Sequence, residues 1–151
     1  MIKIEVTKEN DHRPSRIDIL MGIAQLVSYR GTCGRAQVGC VITSFDHRII
    51  CTGYNGTLVG APHCNELNCD KNEKCKHSVH AEANAIAFAA KFGIGLNGAS
   101  LYCTVAPCKS CAMLIVQSGI KNVIYLGDYT DSEGIELLEK NNVITNKHEQ
   151  K

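Results

Sequence analysis

The chain contains no tryptophan, only three prolines, and 5% aromatic residues. Binding of single-stranded nucleic acid needs stacking rings set in a basic groove, so this scarcity of rings argues against it. Charge argues the same way: sixteen Lys and Arg face fifteen Asp and Glu, for a formal net charge of +1. That balance offers no attraction to nucleic acid or to an anionic membrane. No apolar run nears the roughly 20 residues of a membrane span. The opening MIKIEVTKENDHRPSR also lacks the apolar core of a secretory leader.

Cysteine is plentiful, at nine residues. The number is odd, no export signal accompanies it, and six of the nine fall in two clusters that include histidine. That pattern favours metal ligation over disulfides, in a reducing cytoplasm. At 151 residues and 44% apolar content, the chain is long enough to bury a core. It is expected to form one domain over 1–151, with a core at about 13–145 and frayed termini.

Residues 1–14 are polar and read as a short strand or a loose arm. Ser15 can cap a helix over Arg16–Arg30, whose apolar face is Ile17, Leu20, Met21, Ala24 and Val27 or Ser28. Gly31-Thr32-Cys33-Gly34 should end it. Gln37–Phe45 and Arg48–Tyr54 read as strands joined at Asp46-His47, with Cys40 and Cys51 as small buried apolar residues. Residues 55–79 have no hydrophobic period, and so long a loop in a compact domain is usually functional. Helices follow at Val79–Phe92, Pro107–Ser118 and Ser132–Lys140. Strands follow at Ala99–Val105, Asn122–Leu126 and Val143–Thr145, before a frayed NKHEQK tail. A tight turn makes its two strands antiparallel, whereas strands separated by a helix are usually parallel. The expected fold class is α/β: a mixed five-stranded sheet with helices on both faces, a three-layer α/β/α arrangement. Such sheets bind ligands at the carboxyl ends of their parallel strands.

Two motifs carry chemistry. His80-Ala81-Glu82 opens one predicted helix, and Pro107-Cys108-Lys109-Ser110-Cys111 opens the next directly after a strand. His80, Cys108 and Cys111 can give a zinc ion three ligands and leave the fourth position for water. Helix N-termini lower thiol pKa, which suits both cysteines as thiolates. Glu82 sits too close to His80 to be a comfortable fourth ligand, and is placed to move a proton of that water. A Cys-x-x-Cys alone could be a redox dithiol, and His-x-Glu alone is common. H-x-E followed by P-C-x-x-C, with the Glu not a ligand, is the signature of zinc nucleobase deaminases.

Cys64, Cys69 and Cys75 share the 55–79 loop, and Cys33 could join them in space. Four thiolates would satisfy a second, structural zinc that cross-links the loop. His63 or His77 could replace one of them.

From Arg13 to Val143 the chain resembles the deoxycytidylate (dCMP) deaminases of the cytidine deaminase-like zinc superfamily. The matching stretches are Gly31-Thr32-Cys33, Gln37-Val38-Gly39, Gly53-Tyr54-Asn55-Gly56, His63-Cys64, Val79–Ile86, Pro107–Cys111, Gln117–Lys121 and Asp128-Tyr129. The zinc motifs are shared across the superfamily, whereas Gly-Tyr-Asn-Gly followed by the cysteine loop marks the dCMP branch. Leu58 stands where many members have proline. The resemblance implies conversion of dCMP to dUMP and ammonia, with Asn55 contacting the sugar or phosphate and Tyr129 the bound nucleotide; Arg35 suits the 5′-phosphate by charge and position, and Ala81 is a further candidate for substrate contact. It implies activation by dCTP and inhibition by dTTP with Mg²⁺; Gly53 and Gly56, flanking Tyr54 and Asn55, would let backbone N–H groups approach such a triphosphate. It also implies a homo-oligomer, commonly a hexamer. A deaminase acting on a base in tRNA, and a non-catalytic zinc-stabilised interaction module, are the competing expectations.

Overall fold

The computed structural model describes residues 13–67, 69 and 75–149. The expected arm over 1–14 therefore lies outside the described residues, apart from Arg13 and Pro14. The elements are α1 (Arg16–Ser28), β1 (Gly39–Thr43), β2 (Ile49–Tyr54), α2 (Ala81–Lys91), β3 (Ser100–Val105), α3 (Lys109–Gln117), β4 (Asn122–Gly127), α4 (Glu133–Lys140) and β5 (Ile144–Lys147).

Helix α1 starts where a capping box fixes it. Ser15 Oγ accepts from the Asp18 N–H at 3.1 Å, and the Asp18 carboxylate accepts from the Ser15 N–H at 3.2 Å. The helix stops at Ser28, two residues short of expectation. Ser28 turns its hydroxyl back onto the Gln25 carbonyl at 2.7 Å, and Tyr29 closes the last turn. The hairpin between β1 and β2 turns through Ser44–Arg48, with His47 at φ 65.

The sheet order is β2-β1-β3-β4-β5. Strand β1 lies antiparallel to both β2 and β3, while β3, β4 and β5 are parallel. Alternation along the strands sorts the core into two layers. Cys40, Ile42, Leu101, Cys103 and Val123 face α2, α3 and α4, where they meet Ala85, Ala89, Ala112, Ile115 and Leu138. Val41, Tyr102 and Ile124 face the other way and meet Leu20, Met21 and Ala24 of α1. The result is the expected three-layer mixed sheet. Cys40 and Cys51 are buried within it, as their positions in strands predict.

Other boundaries also differ from expectation, and β1 spans only Gly39–Thr43 of the expected Gln37–Phe45. Pro107 stands before α3 rather than in its first turn, because Cys108 is the N-cap with extended backbone. His80 likewise caps α2 instead of lying within it. The last strand runs on to Lys147, so part of the tail expected to fray is ordered. The His148 N–H donates to the Tyr125 carbonyl at 2.7 Å, and its imidazole lies 2.8 Å from Asp18 Oδ1.

Met21 is fully buried at the centre of the α1 layer. Met21→Ala should cost about 2–5 kcal/mol of stability, read as a lowered urea midpoint at unchanged slope. A loss under about 1 kcal/mol would mean that α1 is not packed as described.

Candidate functional site

Register places one edge of the sheet at the centre of the site. Cys40 pairs with both Gly53 and Cys103, and Val105 pairs with Gly127. The start of β1 therefore lies at the same edge as the carboxyl ends of its neighbours β2 and β3, and of β4 beyond. Helices α2 and α3 both begin at that edge, so each points its positive end at it.

His80 Nδ1 lies 3.5 Å from Cys108 Sγ and 3.5 Å from Cys111 Sγ. In a tetrahedral zinc site, bonds of about 2.0 Å to nitrogen and 2.3 Å to sulfur put the two ligand atoms about 3.6 Å apart. The donor set and its spacing fit zinc. The Cys111 thiol and His80 hold Cys108 far below the usual thiol range, and the same bond, with burial, raises Cys111. A thiolate is thus ready at the helix start.

Glu82 is 3% exposed, and burial pushes its carboxyl from 4.5 up to about 7. Beneath it lie the buried thiols of Cys40 and Cys103. Burial first, and then the nearby Glu82 charge, raise both well above the ordinary thiol range. They stay neutral, so Glu82 rests on an apolar bed. A carboxyl poised near neutrality is suited to taking and returning a proton.

A cavity of about 330 Å³ opens at this edge. His80, Ala81, Glu82 and Cys108 line it, together with Arg35, Asn55 and Tyr129. All four residues expected to contact substrate are therefore on its wall. Asn55 also organises that wall. Its Oδ1 accepts from the Val38 N–H at 2.8 Å and its Nδ2 donates to the Ala36 carbonyl at 2.8 Å. These bonds pin the segment carrying Arg35 and leave one Nδ2 proton uncommitted by them.

Cys64, Cys69 and Cys75 form a second group, with sulfurs within 4.8 Å of one another. Cys64 and Cys75 are 3.8 Å apart, against about 3.8 Å for two sulfurs on one tetrahedral zinc. Burial, then the neighbouring Cys75 sulfur, push the Cys64 thiol up to about 12. Burial opposes ionisation of Cys75, but the His77 and Ser78 backbone and the Cys64 thiol bring it below the usual value. Cys33 lies outside this group of three, and so do His63 and His77. Cys33 and Cys75 both line the first cavity, a proximity that no sequence spacing signals.

Of the four residues expected to bind an effector, Tyr54 and Gly56 line a second cavity of about 490 Å³ with Arg30, Thr32 and Thr57. Asn55 faces the first cavity. Gly53 lies under α2, where a Cβ would meet the Ala81 carbonyl at 2.2 Å. Gly56 N–H and C=O pair with Val79 at 3.1 and 2.8 Å, closing the base of the 57–78 loop. Gly134 escaped the sequence reading. A glycine inside a predicted helix was the available signal.

Residues 14–127 match the family model of the cytidine and deoxycytidylate deaminase zinc-binding region. The chain is 42% identical over 110 residues to ComE operon protein 2 of Bacillus subtilis, covering 72% of this chain and 58% of that protein. It is 37% identical over 147 residues to the deoxycytidylate deaminase of Schizosaccharomyces pombe, covering 91% of this chain and 45% of the yeast protein. The chain thus spans about half the length of these relatives. A crystal structure of the dCMP deaminase of cyanophage S-TIM5, in complex with dCMP and dUMP, matches with a TM-score of 0.82 and 32% identity. That match covers 91% of this chain and all of the phage chain.

The buried carboxyl predicts a pH dependence. Its pKa is raised on folding, so its neutral form is the one the fold favours. In metal-free protein the associated stability is complete below pH 4.5 and is lost as pH rises through about 7. The loss should be on the order of 3 kcal/mol. Glu82→Gln should remove it, making the metal-free variant more stable than the parent at pH 8 in urea denaturation. Equal stability of the two at pH 8 would show that Glu82 is not desolvated.

Proposed function

The chain belongs to the cytidine and deoxycytidylate deaminase family, and from that premise we propose that it converts dCMP and water to dUMP and ammonia. The observation that carries this reading is a buried Glu82 sharing one cavity with His80, Cys108 and Arg35. His80, Cys108 and Cys111 would hold zinc, which would supply an acidified water at neutral pH. Glu82 accepts the proton of the attacking water, passes it to the ring nitrogen, and then assists departure of the C4 amine as ammonia. Ala81 and Asn55 hold the base and sugar from the cavity wall. Tyr129 flanks the nucleotide, and Arg35 pairs with the 5′-phosphate.

A second zinc on Cys64, Cys69 and Cys75, with Cys33 or another donor completing it, staples the long loop. Its support is the 3.8 Å sulfur spacing. The cavity beside Tyr54 and Gly56, with Arg30 at its rim, is suited to the phosphates of dCTP or dTTP with Mg²⁺. Exposed Phe88 on α2 and Phe92 at its C-cap, with Met113 and Leu114 on α3, support assembly into a homo-oligomer, for which we propose a hexamer. No helix among the described residues is long and apolar enough to cross a membrane. We place the enzyme in the cytoplasm because its thiols must stay reduced to bind metal.

Ammonia release from dCMP, deoxycytidine and a tRNA anticodon stem tests the substrate. We expect turnover of dCMP alone, sigmoidal without effector, made hyperbolic by dCTP and depressed by dTTP in Mg²⁺. Glu82→Ala should retain zinc and lose turnover. Preferred release from the tRNA stem would replace this reading with nucleic-acid deamination, and absence of release from all three would leave a non-catalytic module.

Arg35→Ala tests the phosphate contact. One charge-assisted bond is worth about 1.5–3 kcal/mol, so kcat/KM for dCMP should fall roughly ten- to a hundred-fold. The loss should sit in KM, with deoxycytidine unaffected. An unchanged KM would assign the phosphate to another group.

A further inference from the structure

Two glycines far apart in sequence occupy equivalent places against the two halves of the metal site. Gly53 lies in β2 beneath the first turn of α2. A Cβ there would stand 2.2 Å from the Ala81 carbonyl oxygen and 2.8 Å from the Ala85 nitrogen. Gly134 lies in the first turn of α4, against the segment that leads into α3. A Cβ there would stand 1.9 Å from the Pro107 carbonyl oxygen and 2.9 Å from the carbonyl carbon of Cys108. Both residues have ordinary negative φ, so no left-handed backbone requires glycine at either position. What requires it is backbone lying directly on backbone.

The backbone contacted in each case bears or adjoins a ligand. Ala81 separates His80 from Glu82, and Pro107 precedes Cys108. We propose that Gly53 and Gly134 are positioning residues of the metal centre, setting from below and from the side the gap between His80 and the two cysteines. This rests on the zinc reading above but not on the identity of the substrate.

The magnitudes favour a role in geometry. A methyl group needs about 3.2 Å or more from an oxygen, so relieving a 1.9 Å contact moves the Pro107–Cys108 backbone or α4 by about 1 Å. Ligand distances in a functioning metal site are held to about ±0.2 Å. The present 3.5 Å spacings of His80 Nδ1 to both sulfurs leave little room for such a shift. A control exists on the opposite face. Gly39 would place a Cβ 2.1 Å from the Ala24 carbonyl oxygen, an equal insult. Relieving it moves α1, which carries no ligand.

The test is metal affinity together with the spectrum of the cobalt-substituted protein. In the parent, the centre is identified as the sulfur-to-cobalt band that Cys108→Ser abolishes. Its zinc affinity is measured by competition with a chelator. Gly134→Ala and Gly53→Ala should each weaken zinc at that centre tenfold or more and shift the cobalt band. Gly39→Ala should lower the thermal midpoint comparably and leave affinity and band unchanged. Parent-like affinity and spectrum in folded Gly134→Ala and Gly53→Ala overturn the proposal, as does an equal loss of zinc in Gly39→Ala. If one site variant does not fold, the other carries the test. If neither folds, Leu138→Ala takes their place, because removing its buried side chain loosens the seat of α4, which carries Gly134, without adding an atom. An unchanged cobalt band in Leu138→Ala then overturns the proposal and a shifted one supports it. A parent without any band sensitive to Cys108→Ser removes the zinc reading and this inference with it.

Discussion

One imidazole nitrogen stands 3.5 Å from each of two sulfurs, and the rest of the molecule is arranged to hold that triangle. Its corners come from two helix starts, with Cys108 and Cys111 lying 28 and 31 residues beyond His80 in sequence. The chain between them spans a helix and a strand, so local structure alone could not fix the distance. The sheet fixes it. Strand β3 delivers Cys108 at its carboxyl end, and α2 rests on β1 and β2 through the Cys40 thiol and bare Gly53. Two helix N-termini directed at one place favour thiolates there, and a dication satisfies both the thiolates and the geometry.

The same packing works against stability at Glu82. A carboxyl fully removed from water costs free energy whenever it is charged. The fold places it over neutral thiols and beside two helix starts. A bound dication reverses the local balance, because its charge favours the carboxylate that burial disfavours. Metal, carboxyl and helix ends are thus mutually dependent. The α1 layer on the opposite face holds no ligand and supplies apolar burial.

Much of this was legible in the residues. Periodicity placed all four described helices and five strands within a few residues, and the H-x-E and P-C-x-x-C motifs located the triangle. Element ends were less legible. The ends of α1 and β5 depend on Gln25 and Tyr125 accepting from side chain and backbone that sequence patterns do not pair. Glycine roles were hardest to read. Gly53 in a Gly-Tyr-Asn-Gly loop suggests a nucleotide-binding turn, yet its neighbour in space is Ala81, a contact set by how α2 crosses the sheet. Gly134 had no motif to mark it. The nearness of Cys75 to the first cavity, where Cys33 also lies, likewise arises from the chain closing between Gly56 and Val79, and spacing cannot reveal it.

The central claim is that zinc is held by one nitrogen and two sulfurs, with its last position open to a light atom. X-ray absorption at the zinc edge reads this directly when the Cys64, Cys69 and Cys75 group is replaced by serine, leaving one centre. The account predicts two sulfurs at about 2.3 Å and two nitrogen or oxygen atoms at about 2.0 Å, with zinc lost from the protein when Cys111→Ser is added. Four sulfur neighbours, or a spectrum indifferent to Cys111→Ser, would contradict it.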